Sequence, residues 1–164
     1  MASGDTVAIF TPLHNEPPAT SYATIDIRNN HPCLDFDAAS SEQAVFSSIL
    51  PQNYGGSGIT VYATGAWSSD TDDGHTTALE FSFERIGNAQ QDVDIDSFTS
   101  GLTALLTVDA TSGKTDIGNK AFSNGAEIDS IAVGELFRFK VTCNTTGSDH
   151  TGDFELYGIE LKET

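Results

Sequence analysis

Positive charge is scarce in this chain. Of 164 residues only 7 are Lys or Arg, against 24 Asp or Glu, a formal net charge of -17. Such a surface has no footprint for a phosphate backbone, which argues against direct nucleic-acid binding. It also does not settle on an anionic membrane. Acidity of this size keeps a protein in solution, or suits it to a basic partner or to counter-ions. Long apolar runs are missing too: none approaches the roughly 18 residues of a membrane span. The opening MASGDTVAIF has no basic region ahead of its short apolar patch, so no secretory signal is expected. Cysteine is limited to Cys33 and Cys143, far apart. Without a signal, both are expected to be free thiols.

Sustained helical spacing is also absent. SEQAVFSSIL and DIDSFTSGLTALL can each be laid on a helix, but their Ser/Thr-rich and β-branched flanks weaken both. What is present is alternation. In GITVYATGA, Ile59, Val61 and Ala63 fall on one face and Thr60, Tyr62 and Thr64 on the other. Leu79, Phe81 and Phe83 alternate with Glu80, Ser82 and Glu84, and Phe137, Phe139, Val141 and Cys143 with Arg138, Lys140 and Thr142. These are half-buried antiparallel strands with one wet face. In DFELYGIELKE, Phe154 and Leu156 share one phase while Ile159 and Leu161 share the other, so a β-bulge is expected at Gly158. Further strands are expected at 6–10, 23–27, 44–50, 102–108 and 114–122, separated by turn clusters such as NYGGSG, SSDTDDG and TTGSDHTG. The expectation is an all-β antiparallel β-sandwich, jelly-roll-like, of eight or nine strands over residues 23–164, preceded by an extended N-terminal arm over 1–22.

Candidate chemistry is thin. RNNHPCLDFD places His31, Cys33, Asp35 and Asp37 at a spacing of two, the pattern of a metal-ligand row or a Cys–His pair on a strand. Against this, Pro32 breaks a ladder, Leu34 and Phe36 are the natural inward residues, and no second Cys/His pair completes a zinc site. DTDDG at 70–74 resembles a calcium loop, but the twelfth position is Phe81 rather than Glu. Asp92, Asp94 and Asp96 share a face if DVDID is a strand, an arrangement that asks for solvent or a cation. There is no nucleophile elbow, phosphate loop, paired-histidine zinc helix or nucleotide fingerprint. No cofactor, no metal and no enzymatic activity are expected. A hydrolase built on two acids would need both carboxylates in one cleft.

FTPLHNEPP, ATIDIRNNHPCLDFD, AVFSSILPQNYGGSGITV, FSFERIG, VGELFRFKVT and GDFELYGIEL, in that order, resemble a family of small tailed-bacteriophage virion structural proteins, with jelly-roll capsid decoration, or cement, proteins as the nearest type. The resemblance spans nearly the whole chain. It implies a non-enzymatic protein on the outer surface of a virion capsid, made in the host cytoplasm. That protein would bridge major capsid protein subunits and self-associate as a homotrimer. Its contacts are expected at Phe10, Pro12, Leu13, Pro17 and Pro18 of the arm and at Arg28, His31 and Arg85. Arg28 and Arg85 are the expected interface ion-pair formers, since guanidinium suits carboxylates. The alternative is a tail-fibre or host-surface carbohydrate-binding β-sandwich. That reading expects exposed Trp67, Tyr54 and Tyr62 on loops, with calcium near Asp70–Asp73.

Overall fold

The structure, a computed structural model, describes residues 1–88 and 92–164. Its described residues form ten strands: β1 (Thr6–Phe10), β2 (Thr24–Arg28), β3 (His31–Phe36), β4 (Glu42–Ile49), β5 (Ile59–Trp67), β6 (Thr76–Ile86), β7 (Leu102–Thr107), β8 (Asp116–Phe122), β9 (Leu136–Asn144) and β10 (Phe154–Glu163). They build two antiparallel sheets packed as a jelly-roll-like sandwich. One sheet has the order β2-β3-β10-β5-β8, with β1 also on β10; the other runs β4-β9-β6-β7.

The strand beyond the expected nine is β3. Asn29 and Asn30, at φ 47° and 65°, make a two-residue hairpin loop between β2 and β3, the left-handed pair that matches strand twist. Pro32 does not break the ladder. β10 pairs only with Leu34, Asp35 and Phe36, so at Pro32 the strand has β2 alone as neighbour and can spare an N–H. Both helical windows resolve as extended chain, the first as β4 and the second as a loop leading into β7.

β10 organises its sheet. It pairs with β5 along its whole length, while its first half faces β3 and its second half β1. The expected bulge is present, with the register shifting between Leu156 and Gly158. Tyr157 is the extra residue, and the shift lets Leu156 and Ile159 both point into the core.

Nine of the ten phenylalanines are buried. Phe139 on β9 stacks on Phe81 at 5.8 Å and packs on Phe83 at 5.1 Å. It also reaches across the sandwich to Phe10 on β1 at 6.1 Å. Phe83 meets Phe122 edge to face at 5.1 Å. The packing leaves no room on β5: a Cβ on Gly65 would lie 2.2 Å from the Phe154 ring.

The edges of the sandwich are closed by the chain itself. Residues 15–23 run along β4: Glu16 donates to the Val45 carbonyl at 2.7 Å, Val45 to Asn15 Oδ1 at 3.1 Å, and Ala23 to Gln43 O at 2.9 Å. With β1 inside the sheet, the segment expected as an arm over a neighbour is folded onto its own domain. On the six-stranded sheet, Asp26 accepts the Ile27 N–H at 2.7 Å on β2, and Asp116 accepts the Ile117 N–H at 2.8 Å on β8. Each carboxylate occupies a backbone donor of an edge strand, a guard against pairing with another chain.

Phe83 packs against three other core rings, Phe122, Phe137 and Phe139. Phe83→Ala should lower the free energy of unfolding by about 3–5 kcal/mol, read from urea denaturation. A loss under about 1 kcal/mol would show that the core closes over the cavity.

Candidate ligand-binding face

The two outer faces of the sandwich differ. On the four-stranded sheet, Phe98 lies over the centre of the outer face, while Leu105, Ile49 and Leu136 towards its margins are exposed. The Phe98 ring lies 4.5 Å from Lys140 Nζ and 5.2 Å from Arg138 Cζ on β9. Arg138 in turn pairs with Glu84 at 2.8 Å, and burial pushes the Glu84 carboxyl up, with Arg138 opposing. The outer face of the six-stranded sheet is open.

On that open face the register lines up Ile9, Glu160, Tyr62 and Asn119 across four adjacent strands, with Lys162 and Thr60 in the next row and Thr64 and Ile117 on the other side. Tyr62 is there because β5 alternates, its odd-numbered residues filling the core. A shallow depression of about 490 Å³ forms around these side chains. Its walls are apolar at both ends, where Ile9 and Ile117 are 61% and 57% exposed. Polar groups stand beside the ring. Glu160 accepts from Thr6 Oγ1 at 2.7 Å and pairs with Lys162 at 3.5 Å, and the Lys162 ammonium lies 5.9 Å from the Tyr62 centroid. A half-exposed aromatic ring with oriented acceptors and donors beside it is the chemistry of a site for a ligand with both C–H and O–H surfaces.

The bulge in β10 adds a second ring to the same face. The Tyr157 hydroxyl donates to Glu155 Oε2 at 2.8 Å, and Arg28 Nη1 donates to the same oxygen at 2.7 Å. Arg28 also donates to the carbonyls of Trp67 at 2.8 Å and Ser68 at 3.5 Å and to Ser112 Oγ at 3.2 Å, tying the β2–β3 hairpin to two loops. Burial and the bond to Glu155 push the Tyr157 hydroxyl up to about 12. Asp35, across from Glu155, is raised to about 6 by burial and by Asp153, Asp26 and Glu155.

His31, Cys33 and Asp35 do share one side of β3, but they do not form a metal or thiol centre. Cys33 is fully buried and burial raises its thiol to about 11; Cys143 sits in the other sheet, raised to about 12, and both are free. Among the described residues no group of three His, Cys, Asp or Glu is arranged to hold a metal ion. Asp70 is buried and already committed. It accepts the N–H groups of Asp72 at 3.0 Å and Thr151 at 2.8 Å and pairs with His75 at 2.9 Å. Burial would raise it, but these donors outweigh burial and hold it down at about 2. Residues 92–96 form a turn, with Asp96 N–H bonded back to the Asp92 carbonyl, so the three aspartates do not line a strand face.

Other expected contact residues scatter. Phe10 is 3% exposed and Pro12 is buried, so neither offers a surface, because β1 belongs to the sheet. Leu13, Pro17 and His31 are exposed and Pro18 half-buried. Arg28 and Arg85 do form ion pairs, but within the chain, Arg85 with Glu135 at 2.6 Å. Of the three candidate sugar-binding aromatics only Tyr62 lies on the open face. Trp67 is 1% exposed, its indole N–H donating to Thr77 Oγ1 at 2.7 Å. Tyr54 is half-buried, its hydroxyl fixed by Asn124 and the Gly58 N–H. Tyr157 was missed, although the phase flip of β10 marks it as the bulge residue.

The Asp70–His75 pair gives stability a pH signature. The bond to Asp70 raises the His75 imidazole above its ordinary 6.5. Its stabilisation is complete below that unfolded value and is lost as pH rises through the folded one. On the acid side, the Asp70 contribution is lost as pH falls below 3.8 towards 2. His75→Ala should therefore depress Tm most between about pH 4 and pH 6, and match the parent near about pH 9. Buried His150 has the opposite sign: burial lowers its imidazole, so its stabilisation holds above 6.5 and declines as pH falls. A His75→Ala deficit growing towards alkaline pH would refute the ion pair.

No family model matches the sequence, and no curated protein matches it. Solved structures share the fold. A carbohydrate-binding module of Clostridium stercorarium, solved with cellobiose, is 9% identical, with 99% of this chain and 98% of that one aligned at a TM-score of 0.56. A xylan-binding module is 8% identical over 96% and 97% of the two chains, at 0.53. A xylan-binding domain from Paenibacillus barcinonensis is 12% identical over 92% of each, also at 0.53. At these identities the likeness is one of fold: this chain has the β-sandwich architecture of such modules from end to end.

Proposed function

We propose that this chain is a non-catalytic carbohydrate-binding β-sandwich module that takes its ligand on the outer face of the six-stranded sheet. The observation that carries this reading is Tyr62, half-exposed in the depression on this face, flanked by Glu160, Lys162 and Thr64. The flat ring matches the C–H face of a sugar, while carboxylate, ammonium and hydroxyl groups match its hydroxyls. The cellobiose and xylan named for the structural neighbours support the same ligand class. Tyr62→Ala should weaken binding to a soluble glucan or xylan by about tenfold or more, measured by isothermal titration, with the melting temperature as a control for folding. Unchanged affinity in a folded variant rules out this face.

A second reading is the virion decoration protein implied by the sequence resemblance. One observation favours it: Ile49 and Leu136, cross-strand partners at the end of the four-stranded sheet, are both exposed, and Leu13 adds a third exposed apolar side chain. Quantifying the chain in purified particles tests it. A copy number that follows shell symmetry supports decoration, whereas a handful of copies argues against it.

A further inference from the structure

We infer that the open face holds a second sugar subsite at Tyr157, so that the ligand is a linear, uncharged glycan of at least two units lying along β10. The inference rests on the carbohydrate-binding reading and extends it.

Tyr62 on β5 stands opposite Glu160, and Thr64 opposite Gly158. Tyr157 therefore lies on the neighbouring strand, between two and three residues further along the sheet. Strand rise and spacing put the two Cα atoms roughly 10 Å apart, about the span of two linked sugars. Between them lie Thr64 and Gly158, a small side chain and none, which do not block a chain running across. Tyr157 also has its orientation set in advance: its hydroxyl is held by Glu155, which Arg28 fixes from the other side. A ring so restrained loses little freedom on binding. It acts as a platform, with Glu155 and Arg28 as its positioning residues.

The charge of the face selects the class of glycan. Its two cations are already neutralised, Arg28 by Glu155 at 2.7 Å and Lys162 by Glu160 at 3.5 Å. The remaining charged groups nearby, Asp26 and Asp35, are acids. A uronate or sulfated polymer meets like charge and no free partner, while a neutral chain meets hydroxyl acceptors.

The experiment is isothermal titration of the full chain with xylohexaose, cellohexaose, xylose, glucose and polygalacturonate. The expected result is that one neutral hexasaccharide binds at least about tenfold more tightly than its monosaccharide, while polygalacturonate does not bind. Tyr157→Leu keeps an apolar side chain at the position but removes the flat ring. It should weaken hexasaccharide binding by about tenfold and leave monosaccharide binding at Tyr62 unchanged. Tyr157→Phe should retain affinity within about twofold, since the ring remains. If Tyr157→Leu binds the hexasaccharide like the parent while Tyr62→Ala does not, the second subsite is overturned and the sugar-binding reading stands. Binding of polygalacturonate as tight as that of the neutral chains overturns the charge argument. Failure of the parent to bind any of these glycans counts against the sugar-binding reading itself.

Discussion

The fold depends on Phe139. From the middle of β9 it fills the space between the sheets, stacked on Phe81 beside it and meeting Phe10 on the opposite side. Through Phe83 it joins Phe122 and Phe137, and through Phe10 it joins Phe46. Aromatic rings bury more area per residue than aliphatic ones and hold each other at defined angles. A chain with a net charge of -17 repels itself when compact, and this interlocked ring set opposes that repulsion. The acids stay outside it, and those that are buried, such as Asp70, Glu84 and Glu155, have donors of their own.

Because the core rings demand that both halves of β10 face inward, the strand must shift phase once. The shift expels Tyr157 onto the open face and brings it level with the Arg28–Glu155 pair. A packing requirement inside the sandwich thus determines what is displayed outside. On the other sheet, Phe98 lies over Arg138 and Lys140 and takes the centre of that face from solvent. The open face carries two tyrosines, and its Arg28 and Lys162 are both paired.

Much of the fold was legible in the chain. Period-two alternation over β5, β6 and β9 fixed the inward residues correctly, because a strand between a packed and a wet face has no other stable phase. The bulge followed from the same rule. β3 was not legible, because Pro32 outweighed the Asn29-Asn30 pair that announces a two-residue hairpin; Pro is tolerated where a strand lacks a second neighbour, and sequence does not show neighbours. Trp67 was misplaced for a related reason. It stands at the end of an alternating run beside a loop, and only the partner strand shows that Phe154 packs against it at 5.7 Å.

By itself the sequence determined the class: an acidic all-β chain, without the spacing for a nucleotide, zinc or nucleophile site, whose inward and outward residues obey the pleat. Those properties are local, set by neighbours two positions apart and by composition. Only the tertiary structure decided which wet face stays open and which cations are already paired. It also placed Phe10 in a core rather than on an arm, and Tyr62 and Tyr157 on one surface. Those outcomes rest on contacts between residues such as Arg28 and Glu155, 127 positions apart, and no periodicity carries that information.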